Sequence, residues 1–297
     1  MNSITRRLLF SAPFAILNAA MIARRFLSAS LASTLLALPV GSVFSQTPAK
    51  AQVGASLTIT DAGLWRDLQK GVAFRTVAME RSQPGYTLEL KLLRFDSQVI
   101  VPRVLNAGDF QLKSASAKTF AEKTNAIAAI NANYFDEKGR PLAYLKTLSK
   151  EVNRAVSKHS LYTGIFGVSE SGPFVMHRDE FLPSQASEAL QCGPLLLHRG
   201  VSVPVTSDAR FARRTVIGID KQGALIAGVV DALLGGLTLA ELQELFTTAR
   251  WKLEAAELLN LDGGGSAQLY VRAKKFEEWL PGTAEVPVAI GFFSKAN

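Results

Sequence analysis

A single cysteine, Cys192, among 297 residues excludes an internal disulfide framework. Histidine is almost as scarce. His159, His177 and His198 stand far apart, with no HxH or HxxxH spacing, and so predict no metal site. After residue 50 no apolar run approaches the roughly 18 residues that a membrane helix needs. Fixed-period repeats and Pro- or Ser-rich linkers are also missing, so the bulk of the chain reads as one domain. Known phosphate loops are absent too. There is no lysine after the one glycine run and no GxGxxG, and Gln268 occupies the place where GxSxG would need glycine.

Acidic residues are missing from the first 50 positions, which hold Arg6, Arg7, Arg24, Arg25 and Lys50. Those five bases account for most of the formal charge of +8; the rest of the chain has 28 bases against 25 acids. A net of about +3 argues against nucleic acid or an acidic membrane surface as partner. The same stretch, MIARRFLSASLASTLLALPVGSVFSQTPAKA, has a basic start, an apolar middle and small residues near Ser45 and Ala51 where cleavage can fall. Upstream, TRRLLF resembles a twin-arginine signal. We therefore read 1–50 as an export leader, with Met21 an alternative start, and 51–297 as the domain. The expected location is periplasmic or secreted, with membrane attachment only if the leader stays uncleaved. In such a compartment a lone Cys192 is expected to be a buried thiol.

Beyond the leader, strands dominate. TLELKLLRF alternates with Leu88, Leu90 and Leu92 on one face, and SQVIVPRVLN reads as its partner. SAKTFAEKT suggests a short helix, and AIAAINANYF a buried strand running into a polar end. LYTGIFGVSESGPFVMHR and TVIGIDKQGALIAGVV read as hairpins turning at Ser-Glu-Ser-Gly and Asp-Lys-Gln-Gly. Thr238 with Glu241 forms a capping box ahead of a helical stripe of Leu239, Leu242, Leu245, Phe246 and Ala249. VPVAIGFF is the expected last strand. The predicted class is α+β: a single domain with a large mixed β-sheet and a few packing helices.

LNLDGGGSAQLYV is the oddest stretch. Three glycines in a row are costly to order. They suit either a tight Asx turn or a nest in which the backbone amides of Gly263, Gly264, Gly265 and Ser266 face an anion. Asp262 would then stand at a strand end as acid, base or nucleophile beside those donors. Asn131 and Asn133, two apart on a strand, share a face and can bond sugar hydroxyls or an acetamido group; turn formation is their plainer reading. Arg213 and Arg214 precede an apolar strand, and Arg214 can clamp a phosphate bidentately or be a solvated surface residue. Arg210 is a weaker candidate. Gln191-Cys192-Gly193-Pro194 reads as a turn.

In this order, the blocks NANYF, QCGP, RRTVIGI, GLTLAEL and LNLDGGGS resemble the phosphodiester glycosidase family over residues 126–293. Bacterial members are often labelled as exopolysaccharide-biosynthesis proteins. The resemblance implies hydrolysis of a sugar-1-phosphodiester at the anomeric carbon, releasing a sugar and a phosphomonoester. It assigns Asp262 to the sugar centre, Arg214 and the Gly263–Ser266 backbone to the phosphate, and Asn131, Asn133 and Gly193 to substrate binding. No cofactor is expected, and a divalent ion on Asp262 is left open. Asp231 and Glu257 are the only candidates for a second carboxylate. The family's first block more usually reads Asn-Gly-Gly; Ala132 and Asn133 replace both glycines, which predicts a narrower or re-tuned pocket. A non-catalytic envelope protein binding a phosphoglycan is the second reading, and a hydrolase using Ser266 or Cys192 the third.

Overall fold

In the computed structural model, residues 57–148, 150–205 and 210–295 are described; the leader lies outside them. Strands make three sheets. The largest runs in the order Leu57–Asp61, Val72–Arg81, Tyr86–Phe95, Leu225–Asp231, Thr215–Asp220, Ala255–Asn260, Leu195–His198, Val201–Ser202, with Arg66–Gln69 also pairing Val72–Arg81. A second has Gly172–His177, Gly164–Ser169, Glu188–Cys192, Leu145–Lys146 and Glu151–Asn153. The third has Phe276–Leu280, Leu269–Ala273, Ala128–Asn131, Val288–Ser294 and Ile100–Asn106. Two α-helices, Ala117–Thr124 and Leu239–Thr247, and five short 3-10 turns complete the regular elements among the described residues.

The α+β class holds, with two differences from expectation. Every described ladder is antiparallel, so the large sheet is not mixed. Ile100–Asn106 does not pair with Tyr86–Phe95. It joins Val288–Ser294, far along the chain, in the third sheet, while Tyr86–Phe95 lies between Val72–Arg81 and Leu225–Asp231. Alternation along a strand reports which face is buried but not against which partner.

The alternation itself holds. Leu88, Leu90 and Leu92 face the cluster that includes Leu239, Leu242 and Phe246 of the second helix. Leu93 and Phe95 face the opposite way, into a core fed by all three sheets through Ile130, Phe166, Leu190, Ile217, Leu259 and Phe292. Phe95 stacks on Phe292 with centroids 4.0 Å apart and planes 12° from parallel. Thr238 and Glu241 form the expected capping box, and Glu241 also pairs with fully buried Arg81 at 2.8 Å. Burial of that ion pair leaves an uncompensated charge if either partner is removed.

At the far end of the large sheet, His198 sits between two carboxylates: Nδ1 lies 2.9 Å from Glu257 and Nε2 lies 3.0 Å from Glu180. Partial burial pulls the imidazole pKa down, but the two carboxylates outweigh it and the net shift is upward. A folded-state pKa above the unfolded one means that the stabilisation is complete below the unfolded value near 6.5. It is lost as pH rises through the folded value. Thermal unfolding followed from pH 6 to 9 is expected to show that loss in the wild type and its absence in His198→Gln.

Candidate active site

One strand end from each sheet arrives at the same place. Asn131 ends a strand of the third sheet, Cys192 ends one of the second, and Asn260 ends one of the first. Two residues past Asn260, Asp262 donates its N–H to the Ala132 carbonyl at 3.0 Å. Asn131 Nδ2 returns a bond to the Asp262 carbonyl at 2.7 Å. Asn131 Oδ1 accepts from the Thr215 hydroxyl at 2.7 Å and from the Gln268 N–H at 3.1 Å. Asn260 N–H donates to Pro194 O, and its Nδ2 to Gly193 O at 2.9 Å.

Tyr134 lies within this junction. Its hydroxyl donates to Gly193 O at 3.0 Å and accepts from Asn260 Nδ2 at 3.2 Å. Burial pushes the phenol far up, the charges of Cys192 and Asp262 add to that, and the Arg214 charge pulls it down. Asp262, Cys192, Arg214 and Tyr134 therefore share one neighbourhood, although 131 positions separate Asn131 from Asp262 in the chain. Burial also raises the Asp262 carboxyl, against the Ser266 hydroxyl and the Gly263 N–H, which favour the ionised form. Gly263 N donates to Asp262 Oδ1 at 2.9 Å. A carboxylate with a raised pKa is closer to the pH range where it can exchange protons, which suits acid–base work.

Each glycine of the run has its own steric reason. A side chain on Gly263 would meet Arg213 O at 2.6 Å, and one on Gly265 would meet Thr283 Oγ1 at 2.6 Å. Gly264 adopts φ +57 with open space beyond it. Gly264 N donates to Arg213 O, and Ser266 N to Gly263 O. With Gly263 N on Asp262, three of the four amides expected to hold a phosphate are spent inside the protein. The run is thus a tight turn that sets Asp262, with Gly265 its exposed member, rather than an open nest.

Several other expectations change. Asn131 is 0% exposed and its amide is consumed in pinning Asp262 and Thr215, so it positions the site and does not face a sugar. Asn133 is also buried, with Nδ2 bonded to Tyr134 O at 3.0 Å. Gly193 presents its carbonyl to Tyr134 and Asn260, and a side chain there would strike Leu161 O. Arg214 is 8% exposed; Nε donates to Leu237 O at 2.9 Å and Nη2 to Arg210 O at 2.8 Å. Its place depends on the segment that Arg81 anchors through Gly236 O and Glu241. Neither candidate second carboxylate joins Asp262: Glu257 is bonded to His198, and Asp231 lies 3.7 Å from Lys91. Among the described residues no group of three or more His, Cys, Asp or Glu could hold a metal.

Cys192 is buried, and desolvation drives its thiol well above the usual range while the Asp262 charge adds to the rise. A buried thiol held protonated is a poor nucleophile. Sequence reasoning missed Tyr134, Asn260, Thr215 and Gln268. Asn260 was readable, since it precedes Asp262 by two on an extended strand and so shares its side. Thr215 and Gln268 were not, because their partners are distant in the chain.

A family model described as phosphodiester glycosidase matches residues 124–293. No curated protein matches the chain. Two solved structures show the same fold. The zebrafish N-acetylglucosamine-1-phosphodiester alpha-N-acetylglucosaminidase catalytic domain, auto-inhibited by its pro-peptide, aligns at TM-score 0.60 and 15% identity over 81% of this chain and 88% of that one. A hypothetical protein from Synechocystis aligns at TM-score 0.57 and 16% identity over 82% and 68%.

Two outcomes are expected from the junction. Asn131→Ala leaves the Thr215 hydroxyl and Gln268 N–H unpaired and is expected to cost about 2–3 kcal/mol in urea unfolding. Native protein is expected to leave Cys192 unmodified by a disulfide reagent at pH 8, with full reaction in guanidinium.

Proposed function

Because the chain belongs to the phosphodiester glycosidase family, we propose that it hydrolyses a sugar-1-phosphodiester at the anomeric carbon, outside the cytoplasm, on a glycan of the cell envelope. The observation that carries this reading is the meeting of Asp262, Tyr134 and Arg214 at the junction of three sheets. A glycosyl phosphate departs as a good leaving group, so the main requirement is to stabilise an oxocarbenium-like centre and a departing anion. Asp262, ionised, faces the sugar centre as nucleophile or as base for water. Arg214, held by backbone carbonyls, supplies fixed positive charge for the phosphate. Tyr134, kept neutral by burial, braces the junction through its bonds to Gly193 O and Asn260 Nδ2. The basic, apolar leader supports the extracytoplasmic location.

A second reading has its own support. Three of the glycine-run amides are spent, and neither Glu257 nor Asp231 stands with Asp262. Both features fit a phosphoglycan-binding protein without turnover. Incubating residues 51–297 with a panel of sugar-1-phosphate diesters separates the two. Release of free sugar that falls by about 10³-fold or more in Asp262→Asn, and by about 10²-fold in Arg214→Ala, is the expected result. Binding of the diesters with no sugar released from any of them would establish the second reading instead.

The pH profile follows from the raised Asp262 pKa. If Asp262 works ionised, kcat/KM rises with pH through the folded-state value, so the acid limb lies above the ordinary aspartate range near 3.9. Initial rates from pH 3 to 8 measure this. A limb at or below 3.9 would mean that a different group controls the reaction.

A further inference from the structure

Beside the junction, a row of rings leads outward, and its outer members take no part in the chemistry above. Tyr134 and Tyr162 have centroids 5.6 Å apart with planes 38° apart. Tyr162 and His159 follow at 5.2 Å and 36°. Tyr134 and Tyr162 are partly buried, whereas His159 is exposed. Tyr162 lies within electrostatic reach of Asp262 and Cys192. The row therefore starts at the junction, at Tyr134, and ends in solvent at His159.

The segment bearing Tyr162 and His159, between strands Glu151–Asn153 and Gly164–Ser169, has almost no regular structure, yet it is held from below. Gln191, 1% exposed, donates Nε2 to Ser157 O at 2.8 Å and to Tyr162 O at 2.7 Å, and accepts from Ser157 N at 2.7 Å. Arg178 Nη1 donates to His159 O and to Tyr162 O at 3.2 Å. Leu161 O packs so closely on Gly193 that no side chain fits between them. Thr163 Oγ1 accepts from Leu195 N at 2.8 Å. Ordering this much backbone is costly, and it is done by a glutamine one residue from Cys192.

We propose that Tyr162, with His159 beyond it, is a pre-organised stacking ledge for a pyranose ring of the substrate, and that Gln191 is the positioning residue that fixes it. A phosphate group gains little from a tyrosine face. The apolar C–H face of a pyranose meets the negative face of an aromatic ring favourably. Rings fixed before binding forfeit no rotamer entropy on contact, which raises affinity. This rests on the reading of the site as one for a sugar phosphodiester, and it assigns sugar selectivity to a loop outside the glycine run.

The test is binding, which is independent of turnover. Wild-type residues 51–297 are titrated with methyl α-hexopyranosides and, separately, with inorganic phosphate, observed by saturation-transfer and protein NMR. Expected results are saturation transfer to sugar C–H protons and shifts of the Tyr162 ring protons, identified by their loss in Tyr162→Phe. Tyr162→Ala is expected to weaken pyranoside binding by about 10-fold or more with phosphate binding unchanged, and Tyr162→Phe to bind as wild type. Pyranoside binding by Tyr162→Ala equal to wild type, or no pyranoside bound by wild type at all, overturns the ledge. If Tyr162→Ala does not fold, the Tyr162 ring shifts in wild type and the pyranoside affinity of His159→Ala decide the matter. Absence of hydrolysis with the ledge intact would count against the enzyme reading alone.

Discussion

The pair of bonds between Asp262 and the 131–132 peptide governs the site. Asp262 gives its N–H to Ala132 O, and Asn131 gives an amide proton back to Asp262 O. With both its backbone groups held, Asp262 has little freedom left, and its carboxylate direction is set. The same Asn131 side chain also accepts from Thr215 and Gln268. One fully buried amide thus joins the first and third sheets at the point where the chemistry stands. A buried polar group of this kind is stabilising only when every partner is present. The second sheet enters through Gly193 O, which receives both Tyr134 and Asn260.

From that fixed point the glycine run takes on a specific meaning. Asp262 must turn away from the third sheet immediately, over the Arg213 carbonyl, and only glycine fits there. Gly264 takes the left-handed backbone, and Gly265 clears Thr283. Gln268 then locks the exit of the turn to Ser266 O, Ala284 O and the start of helix Ala117–Thr124. Burial that raises the carboxyl pKa is the electrostatic counterpart of this packing.

Much of this is legible in sequence, within physical limits. Hairpins with polar turns, the capping box and the Leu88–Leu90–Leu92 face depend on neighbours within a few residues, and there sequence and structure agree. Ile100–Asn106 is a strand as expected, but its partner is not its neighbour, because alternation carries no information about pairing. Residue type and context single out Asp262 and Arg214, and the structure brings them to one neighbourhood. Asn131 is singled out too, but in the wrong role. Amide chemistry suits sugar hydroxyls and backbone carbonyls equally, and only burial separates the two. Tyr162 and Gln191 cannot be ranked from sequence, since nothing local to LYTG or QCG shows that one holds the other.

The altered first block gains a physical explanation from the same geometry. Where the family resemblance leads one to expect two glycines, this chain has Ala132 and Asn133. Ala132 turns its methyl into the core shared by the three sheets. Asn133 turns inward and bonds the carbonyl of Tyr134. Both restrict a backbone that glycine would leave free, and that backbone carries Tyr134, the first ring of the outward row. Replacing glycine here lowers the entropy lost on folding and fixes the tyrosine against which Tyr162 rests. The departure therefore acts on the rigidity of the aromatic wall, and selectivity for the sugar is decided at Tyr162 and beyond, where solvent and substrate meet the loop.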